Sequence, residues 1–161
     1  MRRIATLILV IPLLAAGCGG GSKQTTTTVT TRAGYIERAD VTCKNHASRR
    51  EDLESQARDL GQLNSNEKAH QVAQLLRKES ANRKAEVEEL RGLQPPAVDA
   101  AAVAAVFSLL DAETRIIDSW ANAYDDLNAE EIRRLQIRLG VTAGRVADRA
   151  RAYGFRVCGQ Q

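Results

Sequence analysis

Apolar residues recur at alternating spacings of three and four along most of the chain from position 35 onwards. Positions at these spacings share one face of an α-helix. The pattern predicts a first helix over residues 35–60, and Gly61 follows it as a stop signal. The stripe of this helix consists of Ile36, Ala39, Cys43, His46, Arg50, Leu53, Ala57 and Leu60.

Capping residues and prolines mark the next two helices. Asn64 and Glu67 have the spacing of a capping pair and predict the start of a second helix, which closes at Gly92. The prolines at positions 95–96 break the pattern, and proline is tolerated in the first turn of a following helix. A third helix is predicted over residues 97–125, and we expect it to be the most buried. The second helix is the least apolar, and its face consists of Val72, Leu76, Val87 and Leu90.

The fourth helix is delimited in the same way. Asn128 and Glu131 repeat the capping signature, and Gly154 predicts the end of the helix. Gly140 and Gly144 lie one turn apart inside it. We expect these two glycines either at a close crossing with the alanine-rich third helix or at a kink.

The four helices predict an all-α fold. Helices joined by short loops are antiparallel neighbours, so the simplest architecture is an up-down-up-down four-helix bundle over residues 35–161. A composition of only 4% aromatic residues, rich in Ala, Leu, Arg and Glu, also favours helices. In the alternative, a three-helix arrangement, the second helix would splay away from the others.

The N-terminal segment has the layout of a secretory signal. Residues 1–3 are basic at two positions, residues 4–14 are mostly apolar, and residues 15–17 are small. The apolar run is too short to span a bilayer, which takes about 20 residues. We therefore interpret residues 1–17 as a signal peptide.

Residues 14–18 read Leu-Ala-Ala-Gly-Cys and resemble the lipobox of bacterial lipoproteins, which the type II signal peptidase cleaves. The resemblance implies that Cys18 becomes the acylated first residue of the mature chain, anchored on the outer face of the cell membrane. Residues 18–34, rich in Gly and Thr, would form a flexible tether. The alternative is an ordinary secretory signal that happens to contain a cysteine.

Charge gives no indication of a nucleic-acid partner. Cleavage after Gly17 would remove two of the 23 basic residues and none of the 20 acidic ones, which leaves a net charge near +1. A nearly neutral domain with interspersed charges lacks the basic patch that nucleic-acid binding requires.

The remaining two cysteines, Cys43 and Cys158, are expected to form a disulfide. An exported domain is oxidised, and the start of the first helix and the end of the fourth lie at the same end of an up-down-up-down bundle. The alternatives are a redox-active pair or a pair of metal ligands, but there is no C-x-x-C motif and no nearby cluster of histidines.

Three short segments, 35–43 (Tyr-Ile-x-x-Ala-Asp-x-x-Cys), 93–96 (Leu-Gln-Pro-Pro) and 154–159 (Gly-Phe-x-x-Cys-Gly), resemble small uncharacterised helical lipoproteins of high-GC Gram-positive bacteria. The resemblance implies an architecture and brings no activity with it.

Two polar residues interrupt the apolar stripe of the first helix. His46 and Arg50 stand where leucine would be expected, and counting through the loops places Arg50 level with Glu79 and Asp111. These four residues predict a polar layer across the bundle. Arg50 could bind a small ligand there, form a structural ion pair, or extend along the helix so that its guanidinium reaches solvent.

The sequence contains no recognisable catalytic or metal-binding constellation. His46 is expected opposite Asn82, away from the second histidine, His70, and no nucleophile elbow, phosphate loop or H-E-x-x-H motif is present. We expect the acidic segment 86–89 to be a solvated face. No catalytic residue, metal or cofactor is therefore assigned.

Two classes of function remain. The first is a noncatalytic envelope module, anchored through Cys18, that binds an envelope protein, a wall polymer or a membrane component. The second is a small-ligand binder or enzyme that uses the polar layer. A closed pocket lined by His46, Arg50 and Glu79 would favour the second class, and an exposed apolar groove along the second helix would favour the first.

Overall fold

The predicted four-helix bundle is confirmed. The computed structural model describes residues 30–62 and 64–160, so the signal peptide, Cys18 and most of the tether lie outside the described residues. Consecutive helices pack against each other along the chain. The helices are α1 (Arg32–Asp59), α2 (Asn66–Gly92), α3 (Ala100–Asp125) and α4 (Ala129–Tyr153), with a short 3-10 helix (Ala97–Asp99) before α3.

Helix α1 begins earlier than its apolar pattern indicates. The Thr31 hydroxyl accepts a hydrogen bond from the backbone N–H of Gly34 at 3.2 Å, which caps the helix in front of Arg32. The predicted start at position 35 was therefore three residues late. A polar first turn carries no hydrophobic period, so only the cap could have shown it.

Of the other two side-chain caps, that of α4 is the predicted one and that of α2 is shifted by one residue. Ser65, not Asn64, caps α2, and its hydroxyl accepts from the N–H of Lys68 at 3.3 Å. The Asn128 side chain accepts from the N–H of Glu131 at 3.1 Å, so the predicted start of α4 is confirmed. Gly154 ends α4 with a φ of 113°, a left-handed conformation that favours glycine.

The residues that the structure describes form two apolar clusters, and α3 runs through both. As expected, α3 contributes the largest set of buried side chains, nine in all. A smaller cluster on α3 and α4 is centred on Ile116, Ala123 and Leu135. The larger one, at the end where α1 begins and α4 ends, contains Tyr35, Ala39, Cys43, Val87, Leu90, Val103, Val106, Leu110, Val146, Ala150, Tyr153, Phe155 and Cys158.

Only the first half of α1 is packed as predicted. After Arg50 the residues of α1 are exposed, apart from Leu53, which is half-buried. Leu60, which follows the helix, is also half-buried. Ala57 is exposed, although it lies on the predicted stripe. The facing first turns of α2 are polar and offer little apolar surface to pack against. No helix within residues 30–62 and 64–160 is long and apolar enough to cross a membrane.

The expected close crossing at Gly140 and Gly144 is wrong. A Cβ added at either glycine would meet nothing within 4 Å, and both residues are exposed. Helix α4 continues through both positions. Glycine in a helix interior lowers stability by about 1 kcal/mol relative to alanine. Packing within the chain does not explain why α4 has glycine at these two positions.

Candidate functional site

The predicted disulfide between Cys43 and Cys158 is formed. Its sulfur atoms are 2.03 Å apart and the two Cα atoms 5.3 Å apart. Gly154 turns the chain out of α4, and Phe155 then packs on the rings of Tyr35 and Tyr153, with centroid distances of 6.0 and 4.9 Å. The bond therefore fastens the C-terminal tail to the first half of α1.

Asp40 holds the same tail by hydrogen bonds. Its carboxylate accepts from the backbone N–H groups of Arg156 at 3.0 Å, Val157 at 2.9 Å and Cys158 at 3.3 Å. Three N–H donors converging on one carboxylate form a charge-assisted cap of the tail. Asp40 had no predicted role, because only the folded chain brings it to a segment more than a hundred residues away.

A second carboxylate, Asp99, joins the start of α1 to the end of α4. It accepts from Arg32 Nε at 2.9 Å and from the Tyr153 hydroxyl at 3.1 Å. Hydrogen bonding to Arg32 lowers the pKa of Asp99. Burial, together with the hydrogen bond to Asp99, raises the pKa of Tyr153 to about 12. This end of the bundle is thus closed by a disulfide, a capped tail and a polar junction.

Farther along the bundle, charged side chains are buried between α1, α2 and α3. Arg83 Nη1 donates to Glu86 Oε2 at 2.7 Å, and its Nη2 lies 3.6 Å from Glu113 Oε1. Arg50 Nη2 lies 3.7 Å from Glu86 Oε2, and its Nε lies 3.8 Å from Glu79 Oε1. We call this set the charged cluster: Arg50, Glu79, Arg83, Glu86 and Glu113.

The structure brings together only part of the predicted polar layer. Arg50 meets Glu79, but Asp111 lies at the surface, where its Oδ2 is 2.6 Å from Arg91 Nη2. The α3 member of the cluster is instead Glu113, two residues later. Two positions along an α-helix are about 200° apart around its axis. Counting residues through the loops therefore predicted the correct level of the acidic residue along α3 but the wrong side of the helix.

His46 is buried beside the cluster. Its Nδ1 lies 2.8 Å from Asn82 Oδ1, so the expected pairing with Asn82 is confirmed, and its Nε2 lies 3.2 Å from Glu89 Oε1. The expectation of a solvated acidic face was wrong for Glu86, which is buried. His70 lies in the second turn of α2, well away from His46, with Nδ1 3.0 Å from Asp125 Oδ1.

Burial changes the acidity of the cluster. Desolvation raises the pKa of Glu79 and of Glu113, and the neighbouring arginines offset this only in part. Desolvation also lowers the pKa of Arg50. Two guanidinium groups face three carboxyl groups, so every charge lies near an opposite one while all are shielded from water. Such an arrangement joins charged groups of three helices in the interior.

The cavities next to these groups differ in kind. A cavity of about 10 Å³ lies between Glu86 and the apolar cluster, which is room for about one water molecule. A groove of about 460 Å³ lies outside, between α1 and α2, and Arg49, Asp52 and Lys78 line it. Neither is a closed pocket lined by His46, Arg50 and Glu79.

The part of the chain that the structure describes contains no group of three or more His, Cys, Asp or Glu side chains placed to hold a metal ion. No protein family, curated protein or solved structure matches the chain.

Proposed function

We propose that the chain is an exported, lipid-anchored domain of a bacterial cell envelope that acts by noncatalytic binding through its outer surface. The observation that carries the proposal is the use of the three cysteines. Cys43 and Cys158 are bonded to each other, which suits an oxidising compartment and leaves the third, Cys18, in the lipobox-like segment 14–18. A partner would be an envelope protein, a wall polymer or a membrane component.

The occupied interior supports binding at the surface. The members of the charged cluster face one another, and the neighbouring cavity of about 10 Å³ is too small for a substrate. Ligand pockets normally have volumes of some hundreds of Å³. We therefore do not extend the proposal to a small ligand or an enzymatic reaction in the polar layer of His46, Arg50 and Glu79.

The anchor is tested by replacing Cys18. Cys18→Ser should move the protein from the membrane fraction to the soluble fraction and abolish labelling with a fatty acid. The matched control is the double variant Cys43→Ser/Cys158→Ser, which loses the disulfide and keeps the anchor, so it should stay in the membrane fraction. A Cys18→Ser protein that remains membrane-bound at the wild-type level would contradict the proposal.

The site of binding is tested by crosslinking in intact cell envelopes. Partners captured by the wild-type protein should also be captured by Glu79→Gln, because this substitution alters only the interior. Circular dichroism establishes that the variant is folded. Loss of capture by a folded Glu79→Gln protein would assign the binding to the polar layer and overturn a surface function.

A further inference from the structure

The face of α4 that points away from the bundle is apolar at its centre. Ile137 is 64% exposed and Val141 60% exposed, although both are large hydrophobic residues. Gly140 and Gly144 lie on the same face, where an added Cβ would meet nothing within 4 Å. At about 100° per residue, this face is diametrically opposite Val146, which packs into the core. We call residues 137, 140, 141 and 144 the α4 outer face.

Charged residues extend the same face in both directions. Glu130 lies two turns and Arg133 one turn before Ile137. Asp148 lies one turn and Arg151 two turns after Gly144. All four are exposed. Along the chain their order is acid, base, acid, base. A second α4 helix that runs in the opposite direction would therefore place an opposite charge level with each of them.

We propose that the α4 outer face is a self-association surface, on which two copies of the chain pair through antiparallel α4 helices about a two-fold axis between positions 140 and 141. In this register Ile137 packs over Gly144 of the second copy, and Val141 packs over Gly140 of the second copy. The glycines lack side chains where the facing chain has large ones, so the two surfaces are complementary in shape.

The four charged residues at positions 130, 133, 148 and 151 favour the same register. Arg133 lies level with Asp148 of the second copy, and Glu130 lies level with Arg151 of the second copy. A two-fold axis makes each of these pairs twice, as in any isologous interface. A parallel pair in register would instead place Arg133 against Arg133 and Asp148 against Asp148, and like charges across an interface oppose association.

This inference goes beyond the proposed function and does not depend on the lipid. It is tested on the soluble mature chain carrying Cys18→Ser, by sedimentation velocity over a range of concentrations. We expect a concentration-dependent dimer. A monomer at every concentration would overturn the inference and leave the fractionation result at Cys18 untouched.

The glycines provide a matched pair of variants. Gly144→Leu fills the space that Ile137 of the second copy would occupy and should weaken dimerisation by about tenfold or more. Gly92→Leu is the control, because Gly92 is also an exposed helical glycine with nothing within 4 Å of an added Cβ, but it lies on α2. Equal dimerisation of the two variants would place the interface elsewhere. Circular dichroism confirms that both are folded.

Charge reversal tests the antiparallel register. Arg133→Asp and Asp148→Arg should each weaken the dimer by about tenfold or more, because each creates two like-charge contacts. The double variant Arg133→Asp/Asp148→Arg should recover dimerisation, since it restores both pairs with reversed sign. In a parallel dimer, the double variant would bring no recovery. Absence of recovery would therefore contradict the proposed arrangement.

Discussion

Arg83 is the residue whose loss should damage the fold most. Its side chain is 5% exposed, and its guanidinium lies between Glu86, which is 1% exposed, and Glu113. Arg83→Met keeps an unbranched side chain of similar length but removes one of the two positive charges of the charged cluster. Three buried carboxyl groups then share Arg50 alone as the cluster's cation. Stranding buried charges in this way costs about 3–5 kcal/mol of the free energy of unfolding.

The neighbouring residue provides the control. Lys84 Nζ lies 2.9 Å from Asp118 Oδ2, about as close as the Arg83–Glu86 pair, but these side chains are 56% and 41% exposed. Water screens such a pair, so Lys84→Met should cost about 1 kcal/mol or less. The two variants make the same kind of change one residue apart on α2 and differ mainly in burial.

Urea unfolding of the Cys18→Ser mature protein, followed by circular dichroism, measures both costs. With an unfolding slope of about 1.5 kcal/mol per molar urea, Arg83→Met should lower the midpoint by about 2–3 M and Lys84→Met by less than about 0.7 M. The loss in Arg83→Met should shrink towards pH 4.5, as the stranded carboxyl groups take up protons. Equal midpoints for the two variants would refute the assignment of a buried, mutually dependent cluster.

Three further outcomes are expected. Gly140→Ala should raise the free energy of unfolding of the monomer by about 0.5–1 kcal/mol, because the added methyl group meets nothing and alanine has the higher helix propensity. A lower melting temperature than that of the wild type, measured at low protein concentration, would mean that the position is crowded. Burial raises the pKa of Glu113, so the folded state holds its proton more tightly and the stability of the wild type falls as the pH rises above the ordinary pKa of 4.5. The melting temperature of Glu113→Gln, measured relative to that of the wild type, should therefore increase between pH 4 and pH 7. A difference that stays constant with pH would contradict the pKa shift. Asp40→Ala should cost about 1–3 kcal/mol in urea unfolding, because it removes the acceptor of three N–H groups in the tail, whereas Glu37→Ala, one turn earlier on the exposed side, should cost little.

The sequence was informative where the structure is locally determined. Apolar spacing and the cap at Asn128 define helices because the hydrogen bonds that form them are within a few residues. The short loops force antiparallel neighbours. This topology, the oxidising compartment and the two cysteines left after Cys18 together paired Cys43 with Cys158.

The charged cluster was predicted only in part, because Glu86 was expected to lie in water and Arg83 and Glu113 were given no role. One signal was present. The apolar face of α2 runs through Val72 and Leu76 and resumes at Val87, with a gap that the same spacing fills at positions 80 and 83. Both of those residues are buried. A gap of this kind in an otherwise regular stripe indicates buried polar residues rather than the end of a face. Which α3 carboxyl group would meet them depended on the rotation of α3, which counting along the chain does not give.

The fastening of the tail to α1 has a mechanical consequence. A pulling force that enters through the residues before Thr31 travels only eleven residues along α1 from Arg32 before it reaches Cys43. There a covalent bond transfers the load directly to the tail and to α4, with the Asp40 contacts acting in parallel. The hairpin of α2 and α3 lies outside this load path. Tension between the N-terminal segment and α4 is therefore borne by a sulfur–sulfur bond, and the helices need not peel apart under it.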